Sequence, residues 1–222
     1  DTGTPARLQH SGILPLLITF EAAVAALCPI SRSGSANVTI PFFHYEIELF
    51  SQLGDSRVSL ENRSRHVDQT IILNRWFIDK ALHREDIWLF HMNEVPGLYE
   101  ALGYRERFAE LYERYAASVA PEHKKQVNAW ELLNLFIFER SITGRVYFTF
   151  ADNFVNSSFK EPLYFTNLCT EISLPARALD GSEGRPEIGC CILGNMNLGY
   201  TEPHEIPKVA HFLVNFLEQL ID

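Results

Sequence analysis

Near the start of the chain Leu16, Leu17, Phe20, Val24 and Leu27 recur at helical spacing with alanines filling the gaps, which predicts a buried helix. Pro29 stops it. Residues 31–37 (SRSGSAN) are small, polar and glycine-bearing, so they read as a loop before the strand-forming run Val38 to Phe43. His44 to Leu53 and Gln69 to Leu82 read as helices, the second with Ile71, Ile72, Trp76 and Ile78 to bury. Glu85 to Phe90 reads as a short extended run, and Pro96-Gly97 as a turn into a helix striped with Phe108, Leu111, Tyr112 and Tyr115. From Pro121 a long helix is expected through Val127, Trp130, Leu133 and Phe138, stopping at Thr143-Gly144. Arg145 to Phe150 alternates as a strand, Asn167 to Leu174 is extended, and Asp180 to Pro186 is an exposed turn. Glu187 to Leu193 reads as a strand, and a helix from Ile206 to Leu220 closes the chain. Strands separated by helices indicate α/β architecture with a largely parallel sheet or barrel, and no internal repeat interrupts it.

Composition narrows the function classes. With 222 residues, 46% hydrophobic and 21% charged, the chain reads as one large domain or part of one. Its net charge of −9 leaves no electrostatic footprint for nucleic acid or an anionic membrane. The most apolar stretch, Ile13 to Leu27, contains Pro15 and Glu21 and falls short of the ~20 apolar residues a bilayer span needs. Four cysteines, Cys28, Cys169, Cys190 and Cys191, are too sparse for a secreted disulfide framework, and no leader opens the chain, so a cytoplasmic setting is expected. The chain starts at Asp1 and its methionines are Met92 and Met196, so a processed, trimmed or fragmentary protein is expected.

The sharpest local feature is Asn167, Cys169 and Glu171 at spacing two. On an extended chain these three side chains share a side while Leu168, Thr170 and Ile172 take the other. An amide, a thiol and a carboxylate on one surface suit a reaction in which sulfur handles a hydrogen atom and the carboxylate takes a proton. From spacing alone, an ordinary strand with a buried structural cysteine accounts for the pattern more economically. Cys190 and Cys191 are adjacent on an expected strand, so at most one faces a given cavity and the other packs. No zinc or other metal site is expected, since the cysteines lack CxxC spacing and no histidine pair accompanies them. His44, Glu46 and Glu48 could imitate one, but near a helix start they read as a polar rim. Arg63, Arg65, His66 and Asp68 suit either an anion site or a structural hydrogen-bond network. The sequons at Asn37, Asn62 and Asn156 carry no meaning in a cytoplasmic protein.

Taken together, FERSITGRVYFTFADN, TNLCTEISLP and EIGCCILGNMNLG resemble the catalytic core of the ribonucleotide reductase large subunit. NRSRHVDQTIILNRWFIDKALHREDIWLF and NEVPGLYEAL are similar to its class I form, which works with a separate radical-generating subunit. The resemblance runs from about His10 to the last helix. It implies a partial ten-stranded α/β barrel across residues 1–222, with a specificity loop at about 28–40, a radical-cysteine finger at about 165–175 and a reducing-cysteine strand at about 187–199.

The same resemblance implies reduction of ribonucleoside diphosphates. Cys169 would be the thiyl radical that abstracts the 3′ hydrogen, Glu171 would accept the 3′-hydroxyl proton, and Asn167 would hydrogen-bond the sugar hydroxyls. Cys191, by its distance before Asn197-Leu198-Gly199, matches a cysteine that supplies reducing equivalents as the 2′-hydroxyl leaves as water, with Cys190 as structure. Ser31, Arg32, Ser33, Gly34 and Ser35 fall where the family places the loop that senses effector and substrate bases, with Arg32 a candidate base contact. No cofactor is expected in this chain. The radical would come from a small, metal-containing partner subunit, reducing power from an external dithiol of thioredoxin or glutaredoxin type, and regulation from a nucleoside triphosphate effector. A second reducing cysteine, the phosphate-binding loop, the radical-transfer tyrosines and a cysteine tail belong to remaining parts of the large subunit, so the chain alone is expected to be inactive. Two alternatives stay open: an adenosylcobalamin-dependent reductase, and a non-enzymatic assembly or nucleotide-binding piece of a split reductase.

Overall fold

The computed structural model describes residues 12–28, 31, 34–64, 66–155, 166–174, 176–177 and 184–221. They belong to two compact units, 1–173 and 174–222.

The first unit is built around a three-stranded parallel sheet in the order β1 (Ala36–Pro41), β2 (Val67–Leu73), β5 (Val146–Phe150). Thr39 stands opposite Thr70 across one ladder and Thr70 opposite Tyr147 across the other, so Thr70 sits mid-sheet. Every residue of β2 except Asp68 is buried. That burial explains why the expected helix from Gln69 is a strand up to Leu73. A central parallel strand is covered on both faces, so its apolar run lacks the alternation that marks strands in a sequence.

Asn74 ends β2 and starts α3 (Arg75–Leu82): its side chain accepts the Phe77 N–H at 3.0 Å and donates to the Leu102 carbonyl at 3.2 Å. The expected long helix from Pro121 also divides. Lys124–Asn128 forms β4, antiparallel to β3 (Asp86–Phe90), and only then does α5 (Ala129–Thr143) begin. The Asn128 side chain accepts from the N–H groups of Trp130 and Glu131, supplying the N-cap that the periodicity conceals. Gly144, at φ 66°, closes α5 in the left-handed conformation with its N–H on the Arg140 carbonyl. Between the strands of this pair lies α4 (Arg105–Ser118), whose Phe108 and Tyr112 are buried as its stripe predicts.

The core gathers behind the sheet. Phe42 stacks on Phe77 at 4.6 Å between ring centroids and meets Phe43 edge-on at 5.4 Å, and Phe108 closes on both. Offset and edge-to-face pairs of this kind add about 0.5–1.5 kcal/mol each beyond their buried area. Of the run His44 to Leu53, only α2 (Ile47–Ser51) is α-helical. The first helix, α1 (Ile13–Leu27), forms as predicted but is not a buried helix: Leu17 is its one buried residue, and Leu27 is 85% exposed. A short helix, α6 (Ala151–Val155), follows β5.

In the second unit β6 (Ala176–Arg177) pairs antiparallel with β7 (Glu187–Ile188), and α7 (Ile206–Ile221) ends the chain close to the predicted bounds. The strand expected to reach Leu193, and the reducing-cysteine strand to 199, stop at Ile188. No described strand pairs with residues 189–193, and without a ladder partner an apolar run does not hold a strand. Of the turn expected at 180–186, residues 184–186 are exposed and the others lie outside the described residues. The whole is mixed α/β with a parallel sheet, and the described residues close no barrel.

Candidate active site

The segment carrying Asn167, Cys169 and Glu171 is not extended. Thr166 and Ser173 form an antiparallel bridge, and the residues between them fold into a tight turn. The Thr170 N–H donates to the Asn167 carbonyl at 3.0 Å, and the Asn167 N–H donates to the Ile172 carbonyl at 3.2 Å. The Asn167 side-chain oxygen accepts the Ile172 N–H at 3.1 Å, locking the turn from inside. An asparagine that bonds its own backbone neighbours is a turn former, and that signal was present in the sequence. Simple alternation therefore does not set the directions of the three side chains. Cys169 and Glu171 are exposed and Asn167 is half-buried.

Thr170 adopts φ 69°, in the left-handed region. A β-branched residue there is a conformational outlier that costs about 1–3 kcal/mol and persists only when its surroundings hold it. Two residues of the sheet do so. The buried Thr70 lies 3.3 Å from Thr170, hydroxyl to hydroxyl. Thr70 also donates its proton to the Asn37 side-chain oxygen at 2.7 Å, and the Asn37 amide donates to the Leu168 carbonyl at 3.1 Å. A hydroxyl carries one proton, so Thr170 is the donor toward Thr70. In the sequence Asn37 is marked only by its sequon, and Thr70 carries no local signal. Only the partnership of β1 with β2 makes them visible.

Beside the turn lies a cavity of about 240 Å³ lined by Ser35, Ala36, Asn37, Thr39, Thr166, Asn167 and Leu168. That is below the roughly 300–1,000 Å³ of a whole small-molecule site, so it suits part of a ligand. Ser35 brings the end of the expected specificity loop to this cavity. Within that loop Gly34 is half-buried, Ser31 and Ser35 are exposed, and Arg32 and Ser33 lie outside the described residues. The Gly34 N–H donates to the Cys28 sulfur at 2.9 Å, and a Cβ on Gly34 would stand 2.2 Å from that sulfur. The Cys28 thiol in turn donates to the Val24 carbonyl at 2.9 Å, tying the end of α1 to the loop.

Cys190 and Cys191 both lie beyond β7 and both are exposed, so the expectation that Cys190 packs as structure is not met. The His44, Glu46 and Glu48 set is occupied with structure. His44 accepts the Glu46 N–H at 3.1 Å, and Glu46 accepts the Ile13 N–H at 2.9 Å, at the start of α1. Glu48 pairs with Lys125. Burial, opposed by Glu46, holds the His44 imidazole below its usual value. Around Asp68 the structural network prevails: Arg145 donates to Asp68 at 2.7 Å, and Ser64 and the His66 N–H donate to Glu21 at 2.7 and 2.9 Å. Arg65 lies outside the described residues.

A family model described as the ribonucleotide reductase barrel domain matches residues 4–222. The chain belongs to that family. It is 33% identical over 231 aligned residues, 99% of its length, to the ribonucleoside-diphosphate reductase subunit alpha of Buchnera aphidicola subsp. Baizongia pistaciae, and covers 30% of that protein. To the subunit alpha of Haemophilus influenzae it is 34% identical across 87% of the chain and 26% of the relative. To the ribonucleoside-diphosphate reductase 1 subunit alpha of Escherichia coli it is 35% identical across 77% of the chain and 23% of the relative. The chain thus spans about a third or less of the curated relatives it matches. The resemblance carried by the three quoted motifs is therefore a family relationship, and the mixed α/β fold with its parallel sheet belongs to a ribonucleotide reductase barrel domain. Among the described residues no helix is long and apolar enough to cross a membrane.

Proposed function

We propose that this reductase barrel chain serves in the conversion of ribonucleoside diphosphates to deoxyribonucleoside diphosphates, with Cys169 as the hydrogen-abstracting thiyl. What supports the reading most is the placement of Cys169, exposed on a turn that the sheet grips on both flanks beside a polar cavity. A radical sulfur must reach one carbon of a bound sugar and no other, which requires a fixed yet accessible position. In this scheme the Cys169 sulfur takes the 3′ hydrogen and gives it back to the same carbon at the end of the cycle, while Glu171 takes the 3′-hydroxyl proton and returns it. Asn167 orients the sugar hydroxyls while its side-chain oxygen holds the turn. Cys191, with a second thiol from another part of the large subunit, provides two electrons and two protons as the 2′-hydroxyl departs as water. The two sulfurs become a disulfide that an external dithiol reduces. The loop from Ser31 to Ser35 would read a nucleoside triphosphate effector, and the remaining strands of a ten-stranded barrel would come from the rest of the subunit. A separate metal-containing subunit would supply the radical.

The test uses the full-length subunit carrying this segment. Cys169→Ser is expected to abolish turnover with substrate binding and folding intact, because a hydroxyl does not form an oxygen radical at comparable energy. Cys191→Ser is expected to permit the first hydrogen abstraction but end in decomposition of the substrate. Equal phenotypes would show the roles to be misassigned, and turnover on added adenosylcobalamin without a partner subunit would move the chain to the cobalamin-dependent class.

A further inference from the structure

We propose that Asn37, oriented by Thr70, is a positioning residue for the turn that carries Cys169, gripping the residues on either side of it. The inference rests on the reading of Cys169 as the reacting thiol. Its physical basis is a short relay across three separate parts of the chain. Thr70, fully buried in the central strand, has its one proton on the Asn37 side-chain oxygen. The Leu168 carbonyl, of the residue just before Cys169, can only accept, so it takes the amide nitrogen and leaves the amide oxygen to the Thr70 proton, and the two bonds together hold the amide in one orientation. The second lone pair of Thr70 faces the hydroxyl of Thr170, the residue just after Cys169. Leu168 and Thr170 are thus both tied to the sheet while Cys169 between them is exposed.

The left-handed Thr170 strengthens the inference. Unconstrained, a threonine leaves that region for an extended or right-handed conformation, and Cys169 would move with it. The bond to Thr70 is what the strained residue gains in return. The anchor is rigid because Asn37 and Thr70 sit on paired strands, Asn37 beside Asp68 and Thr39 beside Thr70. Nothing in the turn's own sequence provides this; Asn167 closes the turn but does not tie it to the sheet.

Two measurements test the clamp. On this chain, iodoacetamide labelling followed by peptide mass spectrometry reads the reactivity of Cys169 against Cys190 and Cys191 as internal references. Asn37→Ala is expected to speed labelling of Cys169 about three- to tenfold with the two references unchanged, as loss of one or two hydrogen bonds allows. In the full-length subunit, Asn37→Ala is expected to lower kcat roughly ten- to hundredfold while KM for the ribonucleoside diphosphate stays within about twofold. Thr70→Val should follow it, and Thr70→Ser, which keeps the hydroxyl, should restore turnover; this pair stands in if Asn37→Ala does not fold. An unchanged Cys169 labelling rate overturns the clamp. So does an unchanged kcat in Asn37→Ala, or equal kcat in the two Thr70 variants, when Cys169→Ser is inactive. Full turnover by Cys169→Ser would instead overturn the assignment of the thiol, with labelling still reporting on the clamp.

Discussion

Replacing Asn74 by alanine removes two hydrogen bonds from a buried site. The side-chain oxygen caps α3 through the Phe77 N–H, and the side-chain nitrogen satisfies the Leu102 carbonyl, 28 residues away, with Asn74 itself fully buried. Loss of a helix cap costs about 1 kcal/mol. A buried carbonyl left without a donor costs about 1–3 kcal/mol more. Asn74→Ala is therefore expected to destabilise by about 2–4 kcal/mol, the sum of these two ranges. Asn74→Ser keeps an acceptor for the cap but no reach to Leu102, so it should fall between alanine and wild type. Asn74→Asp keeps the cap and turns an acceptor toward the Leu102 carbonyl, so it should be poor at neutral pH and recover as the carboxylate is protonated in acid. Urea unfolding followed by tryptophan fluorescence suits the assay, because Trp76, Trp88 and Trp130 all lie in the same unit as Asn74. The variants should shift the midpoint with little change in slope. A serine variant as unstable as alanine, or an alanine variant within about 0.5 kcal/mol of wild type, would refute the reasoning.

Charge and loop geometry can be probed in the same way. Burial first, and then Asp55, push the Glu139 carboxyl above its ordinary value against the opposing pull of Arg57. A raised folded-state value stabilises the fold only below the unfolded value and is lost as pH rises through the folded one. Glu139→Gln should therefore gain stability relative to wild type from acid to neutral pH in urea midpoints, with Arg57 still paired to Asp55 at 2.6 Å; a gap that is flat or shrinks with pH would contradict this. Gly34→Ala should destabilise by crowding the Cys28 sulfur, and Cys28→Ala should relieve much of that cost. Additive thermal shifts in the double variant would show that the two residues do not press on one another.

Local chemistry in the sequence determined much of this protein. The stripe of Phe108 and Tyr112, the stop at Gly144, the strand after Arg145 and the last helix all follow from side chains read against their immediate neighbours. The motifs around Cys169 and Cys191 were enough to place the chain in its family, because such residue orders are specific without any knowledge of contacts. What the tertiary structure decided is what depends on partners distant in sequence. Val67–Leu73 is a strand because β1 and β5 flank it, and Lys124–Asn128 is one because β3 lies opposite. The direction of Cys169 was beyond a period-two argument, since a turn locked by Asn167 replaces the extended chain on which alternation depends. Asn37 and Thr70 were silent for the same reason. Their hydrogen bonds span 131 and 100 residues of chain, and a hydrogen bond between groups so far apart exists only once the sheet has brought them within reach.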